Sequence, residues 1–446
     1  MRSRTIWTRR AALLGGAGML AGCSTLDSIF GTAKQPLPGE RVSILTTQRA
    51  LEVDPALAGQ PLTLPPPQPR ADWPQLGGNV AHDPGHSALA PRLSRAWTAS
   101  AGTGSSYRRR ITTGPVVAEG TVFASDAYGV ISAFDLAKGG RRWRFDTRPE
   151  DDETGAVGAG CAYADGTLYV ATGMAELMAL NPADGKPRWR VKLPAPARGA
   201  PAVAGGRIYV PTIDNQLTAF SSQDGTKQWT YRAQPTLAVP LGLPAPAVEA
   251  GFVVAGFPSG ELVAMRPEDG QVLWSESLAG RSLGGIGDIS GVHGLPVIHE
   301  GRVYAMGMGS TSLGVDLRSG RRLWEREIGG TTTPVPVGDW LFLMGRSGDL
   351  VALGREDGRI RWIAELNAPP PGKEKNDDPA NFGTPLAAGG QLIVPSSKGE
   401  ALLINPADGS IAGRLRLPDG TTLPAAVAQD TLVLLADDGT LAAYRG

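Results

Sequence analysis

Gly260-Glu-Leu-Val-Ala-Met-Arg-Pro-Glu-Asp-Gly-Gln-Val-Leu-Trp274 is the stretch that decides the fold, because the chain repeats it. Its first half returns eight times, as Gly129-Val-Ile-Ser-Ala-Phe134, Ala175-Glu-Leu-Met-Ala-Leu180, Asn215-Gln-Leu-Thr-Ala-Phe220, Gly260 to Met265, Thr311 to Asp316, Gly348-Asp-Leu-Val-Ala-Leu353, Gly399 to Ile404 and Gly439-Thr-Leu-Ala-Ala-Tyr444. Seven copies continue into a turn, usually Asp-Gly, with Trp four residues after the glycine: Trp143, Trp189, Trp229, Trp274, Trp324 and Trp362, and Gly413 where the Trp is lost. A period of roughly forty to fifty residues marks a propeller, solenoid or array.

Asp-Gly between two apolar runs signals a β-hairpin, because the tight turn needs positive φ and glycine adopts it without a Cβ clash. Ahead of each hairpin lies a second pair of strand-like runs, such as Ala200–Val203 and Arg207–Val210, so one copy supplies four short antiparallel strands, a propeller blade. The eighth copy stops at Tyr444-Arg445-Gly446, where its turn and fourth strand should begin, and Arg95-Ala-Trp97-Thr has the look of the missing strand. The predicted fold is all-β, an eight-bladed propeller from about residue 92 to 446 whose first and last blades are zipped together, leaving no open ring end. At fixed register, one Trp per blade reads as packing between neighbouring blades.

Gly-x-Leu-x-Ala-Leu-x-x-x-Asp-Gly-x-x-x-Trp resembles the repeat of pyrroloquinoline-quinone enzymes and of the outer-membrane assembly lipoprotein family BamB, both eight-bladed propellers. The resemblance is specific for fold and weaker for function. Quinone enzymes of this class add a calcium site, a catalytic aspartate and a ring of two adjacent cysteines. This chain has only Cys23 and Cys161 and cannot make that ring. The expectation is a protein without catalytic residues, cofactor or metal; the rival is a quinone-dependent dehydrogenase-like or ligand-binding periplasmic propeller.

The ends fix the expected compartment. Arg2, Arg4, Arg9 and Arg10 precede the apolar run Ala11–Ala21, too short to span a bilayer and shaped like a signal peptide. It closes on Leu20-Ala-Gly-Cys23, which resembles a lipobox, so residues 1–22 read as a lipoprotein signal and Cys23 as the acylated residue. Ser24 is not the aspartate that such lipoproteins use for inner-membrane retention, which implies the outer membrane, facing the periplasm. Thr8-Arg9-Arg10-Ala-Ala-Leu13 also resembles a twin-arginine signal without its aromatic, leaving the export route open. Residues 23–72, rich in proline, read as a lipid-anchored tether, with Gly39–Leu45 as a candidate strand, and the propeller domain runs over 73–446 from Trp73-Pro-Gln-Leu-Gly-Gly78. Lys+Arg and Asp+Glu both number 43, which argues against a nucleic-acid partner.

Little else suggests chemistry. Cys161 sits in a strand-like run and reads as a small core residue. His82 and His86 have helical metal-ligand spacing, but Asp83-Pro-Gly85 between them makes a turn. His293 and His299 read as surface or loop histidines without an acidic cluster nearby. Gly284-Gly-Ile-Gly287 opens no helix after a strand, so it is no phosphate loop. Asp184, Asp224, Asp269, Asp357 and Asp408 are turn residues.

Function then concentrates on the links between blades, which vary while the hairpin turns do not: Ser100 to Gly114, Lys192 to Gly199, Tyr231 to Pro244, Leu278 to Gly294 and Leu366 to Thr384. Leu193-Pro-Ala-Pro-Ala-Arg198-Gly199 resembles the BamB segment whose arginine engages the barrel-assembly protein, with Ala195 and Ala197 in place of leucines. Gly287-Asp288-Ile289-Ser290 resembles the family's paired acids, Asp288 kept and Ser290 replacing the second. The resemblance implies partner contacts at Leu193, Arg198, Asp288 and Ile289. It also implies a BamA-like barrel-assembly protein bound through its periplasmic repeat domains, with nascent outer-membrane proteins as a further partner.

Overall fold

Eight four-stranded antiparallel sheets follow one another round a closed ring. The computed structural model describes residues 51–57, 59–149, 158–236, 239–279, 291–369 and 378–446. The signal segment, Cys23, Gly39–Leu45, Asp288 and Ile289 lie outside the described residues. Blade 1 is built from Val116–Ala118, Thr121–Ser125, Ile131–Asp135 and Arg141–Phe145, from the axis outwards, and blades 2 to 7 repeat the pattern. Blade 8 takes Ala426–Ala428, Thr431–Leu435 and Thr440–Arg445 from the end of the chain and its outer strand, Ser94–Ser100, from before blade 1. Arg95 pairs with Tyr444 and Trp97 with Ala443, the closure expected from the sequence.

The Trp and the turn glycine of the repeat are two halves of one joint between blades. Gly185 has φ +73, and a Cβ there would come within 2.6 Å of the Trp143 ring of the preceding blade, so the position needs glycine for both its backbone and its bare face. Beside that contact, Trp143 Nε1 donates to Pro182 O at 2.8 Å. Trp229, Trp274, Trp324 and Trp362 donate in the same way to Pro267, Leu317, Arg355 and Pro406 of the next blade. Across the closure, Trp97 Nε1 donates to Leu136 O at 2.9 Å, and its ring lies over Gly139.

Blade 7 shows why one Trp is missing. Opposite each Trp the cross-strand residue is Ala133, Ala179, Ala219, Ala264, Gly314, Ala352 or Ala443, small enough to leave room for the indole. In blade 7 the pair is exchanged, Leu403 facing Gly413, so the volume is filled from the other strand. Blade 8, next in the ring, joins its third and outer strands through no Asp-Gly turn, so a Trp at 413 would have no glycine to rest on.

Residues 51–72 depart from the sequence reading, in which they belonged to the tether. Leu57 and Leu62 are buried, Leu62 among Val335, Val337 and Trp340 of blade 6, and Asp54 N donates to Ile360 O at 2.9 Å. The chain then forms a strap across the channel mouth on the hairpin face, against the inner strands. Arg70 O accepts from Gln429 N at 2.7 Å in blade 8, Trp73 and Val117 of blade 1 exchange bonds of 2.7 and 2.8 Å, and Pro74 O accepts from Tyr163 N at 2.8 Å in blade 2. The Gln75 side-chain amide takes both backbone groups of Val203 in blade 3, at 2.9 and 3.0 Å, as a strand would. Val80 O and Ala81 O accept from Val248 N and Ile298 N of blades 4 and 5, and Ser87 N donates to Ala387 O of blade 7. An inner strand has one edge facing the axis with backbone groups that need partners. The strap provides them, which is the physical reason this stretch is built into the ring.

Candidate functional site

Turns between second and third strands share one face of the disc with the links between blades; the hairpin turns and the strap share the other. On the hairpin face the repeated aspartates hold their own turns: Asp184, Asp269, Asp357 and Asp408 each accept, through Oδ1, the backbone N–H two residues on. The Arg266 guanidinium beside Asp269 brings that carboxyl down to about 2. These are turn caps, as expected.

The axial channel is filled. Leu76 of the strap packs against Ala200, Ala245 and Leu295, each just ahead of an inner strand, of blades 3, 4 and 5. The space left beside Trp73, Leu386 and Pro424 is about 30 Å³, the room of one water. At the link-face mouth, a Cβ on Gly242 would stand 3.4 Å from His293 Nε2 of blade 5 and 3.8 Å from Thr112 O, ahead of blade 1, so the link before blade 4 crosses the opening. Among the described residues the channel leaves no room for a tricyclic quinone.

The histidines are structural. His82 Nδ1 lies 2.7 Å from Pro296 O, and burial lowers the ring's pKa to about 4. His86 Nε2 accepts from Gly390 N at 2.9 Å while Nδ1 faces Pro65 O at 2.6 Å. His293 Nδ1 meets Thr331 O at 3.1 Å, and burial lowers its pKa. His299 corrects the sequence reading: Asp83, 216 positions away in the strap, places Oδ2 2.6 Å from its Nδ1. Such a partner, brought by a fold-wide crossing, leaves no local signal. Among the described residues no cluster of three or more His, Cys, Asp or Glu is placed to hold a metal. Cys161 is buried, and burial pushes its thiol up to about 12, so it is inert.

Of the expected partner contacts, Arg198 is the one the described residues place on the link face. It precedes the inner strand of blade 3 and is partly buried, and its carbonyl accepts from Leu243 N at 3.3 Å. Its Nε is buried without a hydrogen-bond partner. Leu193 turns inward instead, packed with Ala197, Val203 and Leu177, because its amide is tied to Ala175 O at 2.7 Å. A second opening on this face, about 400 Å³, lies over blades 6 to 8 between Arg110, Arg346, Asn381, Phe382 and Asp437. Burial raises the Asp437 carboxyl pKa, an effect that Arg110 opposes. Sequence reading missed this opening because its residues come from seven separate loops.

Fold and site define a closed eight-bladed propeller of the quinoprotein repeat type, its axis filled by its own chain and its variable loops gathered on one face. A family model described as outer membrane protein assembly factor BamB matches residues 127–364 and 347–446. The chain belongs to that family. An outer membrane protein assembly factor BamB of Alkalilimnicola ehrlichii is 33% identical over 78% of this chain and 87% of its own length. The crystal structure of BamB from Moraxella catarrhalis superposes with a TM-score of 0.63 at 19% identity, covering 80% of this chain and 98% of that one. Quinohemoprotein alcohol dehydrogenase from Comamonas testosteroni superposes with a TM-score of 0.64 at 14% identity over 84% of this chain and 80% of its own, a likeness of fold alone. The family is one of assembly factors, and the chain is not an enzyme of the quinone class.

Proposed function

We propose that this chain is a lipid-anchored scaffold of the machinery that assembles β-barrels in the outer membrane, acylated at Cys23 and held in the periplasm. Its link face would bind the periplasmic repeat domains of the barrel-assembly protein. Arg198 carries the reading: a partly buried arginine whose Nε has no hydrogen-bond partner, on the face where the chain varies, keeps guanidinium donors for an incoming carboxylate or carbonyl. Asp288 and Ile289, from the link before blade 5, belong to the same proposed surface, whereas Leu193 supports the loop from beneath. Family membership supports the assignment to this machinery.

The test is capture of the barrel-assembly protein from mild detergent by the acylated chain. Arg198→Glu and Asp288→Arg should each weaken capture by about 2–5 kcal/mol with folding intact. Lys186→Glu, on the hairpin face, should leave it unchanged. Reproducible absence of the barrel-assembly protein defeats the reading, and equal losses from both faces defeat the choice of surface. Acylation is checked separately by the mass of the mature N-terminus, which should lose its lipid in Cys23→Ser.

A further inference from the structure

The outer wall of the ring is electrically lopsided, although the chain's formal net charge is zero. The outer strands of blades 1, 2 and 3, Arg141–Phe145, Pro187–Lys192 and Lys227–Arg232, carry Arg141, Arg142, Arg144, Arg188, Arg190, Lys192, Lys227 and Arg232, all exposed, and no acid. Those of blades 4, 5 and 6, Val272–Ser277, Arg322–Arg326 and Ile360–Glu365, carry three arginines against three glutamates, and those of blades 7 and 8, Ile411–Arg416 and Ser94–Ser100, carry only Arg414, Arg416 and Arg95 without an acid, so the cations are densest on blades 1 to 3. Described ion pairs engage only Arg142, with Asp135, and Arg190, with Glu176, among the eight cations.

Basic residues on edge strands ordinarily block edge-to-edge aggregation. That need is the same on every blade, yet the outer strand of blade 4 has no Lys or Arg and leaves Val272 and Leu273 exposed at 43% and 44%. Edge protection therefore does not account for the sorting of charge. The cations are also spread over three rigid blades, and the two cavities described above are lined by other residues. Such a layout fits an extended surface of many small anions better than a discrete ligand or a single peptide, which would follow one strand.

We infer that the outer wall of blades 1 to 3 docks on a membrane surface through the phosphate groups of anionic phospholipids, standing the ring on its edge. Arginine and lysine side chains on fixed strands offer phosphates charge-assisted hydrogen bonds with little ordering cost, and several acting together raise the attraction steeply. This contact is independent of the partner-binding face and of acylation.

The mature chain from residue 23, carrying Cys23→Ser so that no acyl group contributes, is mixed with vesicles of phosphatidylcholine alone or with about one third phosphatidylglycerol. It should sediment with the anionic vesicles only, and high salt should release it. Arg141→Glu, Arg144→Glu and Lys192→Glu together should weaken binding by about tenfold or more. Arg361→Glu, Arg414→Glu and Arg416→Glu together, on blades 6 and 7, should not, with both variants melting as folded proteins. Binding to neutral vesicles alike, or equal loss from both triple variants, overturns the inference. So does binding that appears only after Glu150, Asp151, Asp152 and Glu153 are neutralised, since the wall is then occupied by its own chain. Capture of an acidic protein through this wall without any vesicle binding overturns it as well.

Discussion

Placing an alanine at Gly139 tests the ring closure at a single atom. The new Cβ would stand 2.6 Å from the Trp97 ring, and the residue has φ +72. The left-handed backbone costs an alanine about 1–2 kcal/mol, and forcing the indole aside costs about 1–3 kcal/mol more. Trp97→Ala removes a side chain that is 9% exposed and donates to the buried Leu136 carbonyl, which should cost about 3–5 kcal/mol. With Trp97 already gone, Gly139→Ala should cost only its backbone share, so the double-mutant cycle should show about 1–3 kcal/mol of coupling. Urea unfolding followed by circular dichroism and by fluorescence supplies the four free energies, coincident transitions securing the two-state analysis. Gly140→Ala, with open space around its Cβ, is the control and should show no coupling to Trp97. If Trp97→Ala and Gly139→Ala add within about 0.5 kcal/mol, the indole does not rest on that turn and the account of closure fails.

Other consequences are as direct. Gln75→Leu strips Val203 N–H and C=O of their partners at a buried site and should lower stability by about 2–4 kcal/mol in a urea melt, while a loss below about 0.5 kcal/mol would mean the strap does not pair there. His82 titrates near 4 when folded against an ordinary 6.5, so the unfolded chain binds the extra proton. Its stabilisation is full above pH ~6.5 and lost as pH falls towards ~4, about 3 kcal/mol in all. His82→Asn, which tolerates the residue's positive φ of 62, should flatten that part of the pH–stability curve, and an unchanged difference curve would refute it. Gly413→Trp should destabilise by driving the indole into Leu403, and adding Leu403→Ala should recover only part of the loss in thermal melts, since blade 8 has no turn glycine to receive the indole.

The repeat made the blades, their order and the closing strand legible, because each Asp-Gly turn and each Trp is fixed by contacts within a blade or with the next one. The exchange of Leu403 and Gly413 was visible only as a missing Trp, since its compensation lies on a different strand. Residues 51–91 were opaque for another reason. They have no periodicity and bond mostly through backbone groups, and Gln75 serves as a strand without looking like one. Arg198 was singled out only by family resemblance, and that Leu193 faces inward depends on the bend of its loop. The charge on the outer wall was present in the sequence but acquired meaning only when three distant segments became neighbours.

The strap also reverses the order in which the molecule can be finished. Residues 68–91 leave the ribosome before any blade, yet His86 bonds Gly390, 304 positions later, and Arg445 must return to Leu136 across 309. Ring and strap can therefore lock only after the last blade has emerged, and contacts so distant in sequence make folding slow. Until then the inner strand edges stand unpaired, and that interval is when the chain is most open to misassociation. The strap is made before the blades and settles after them.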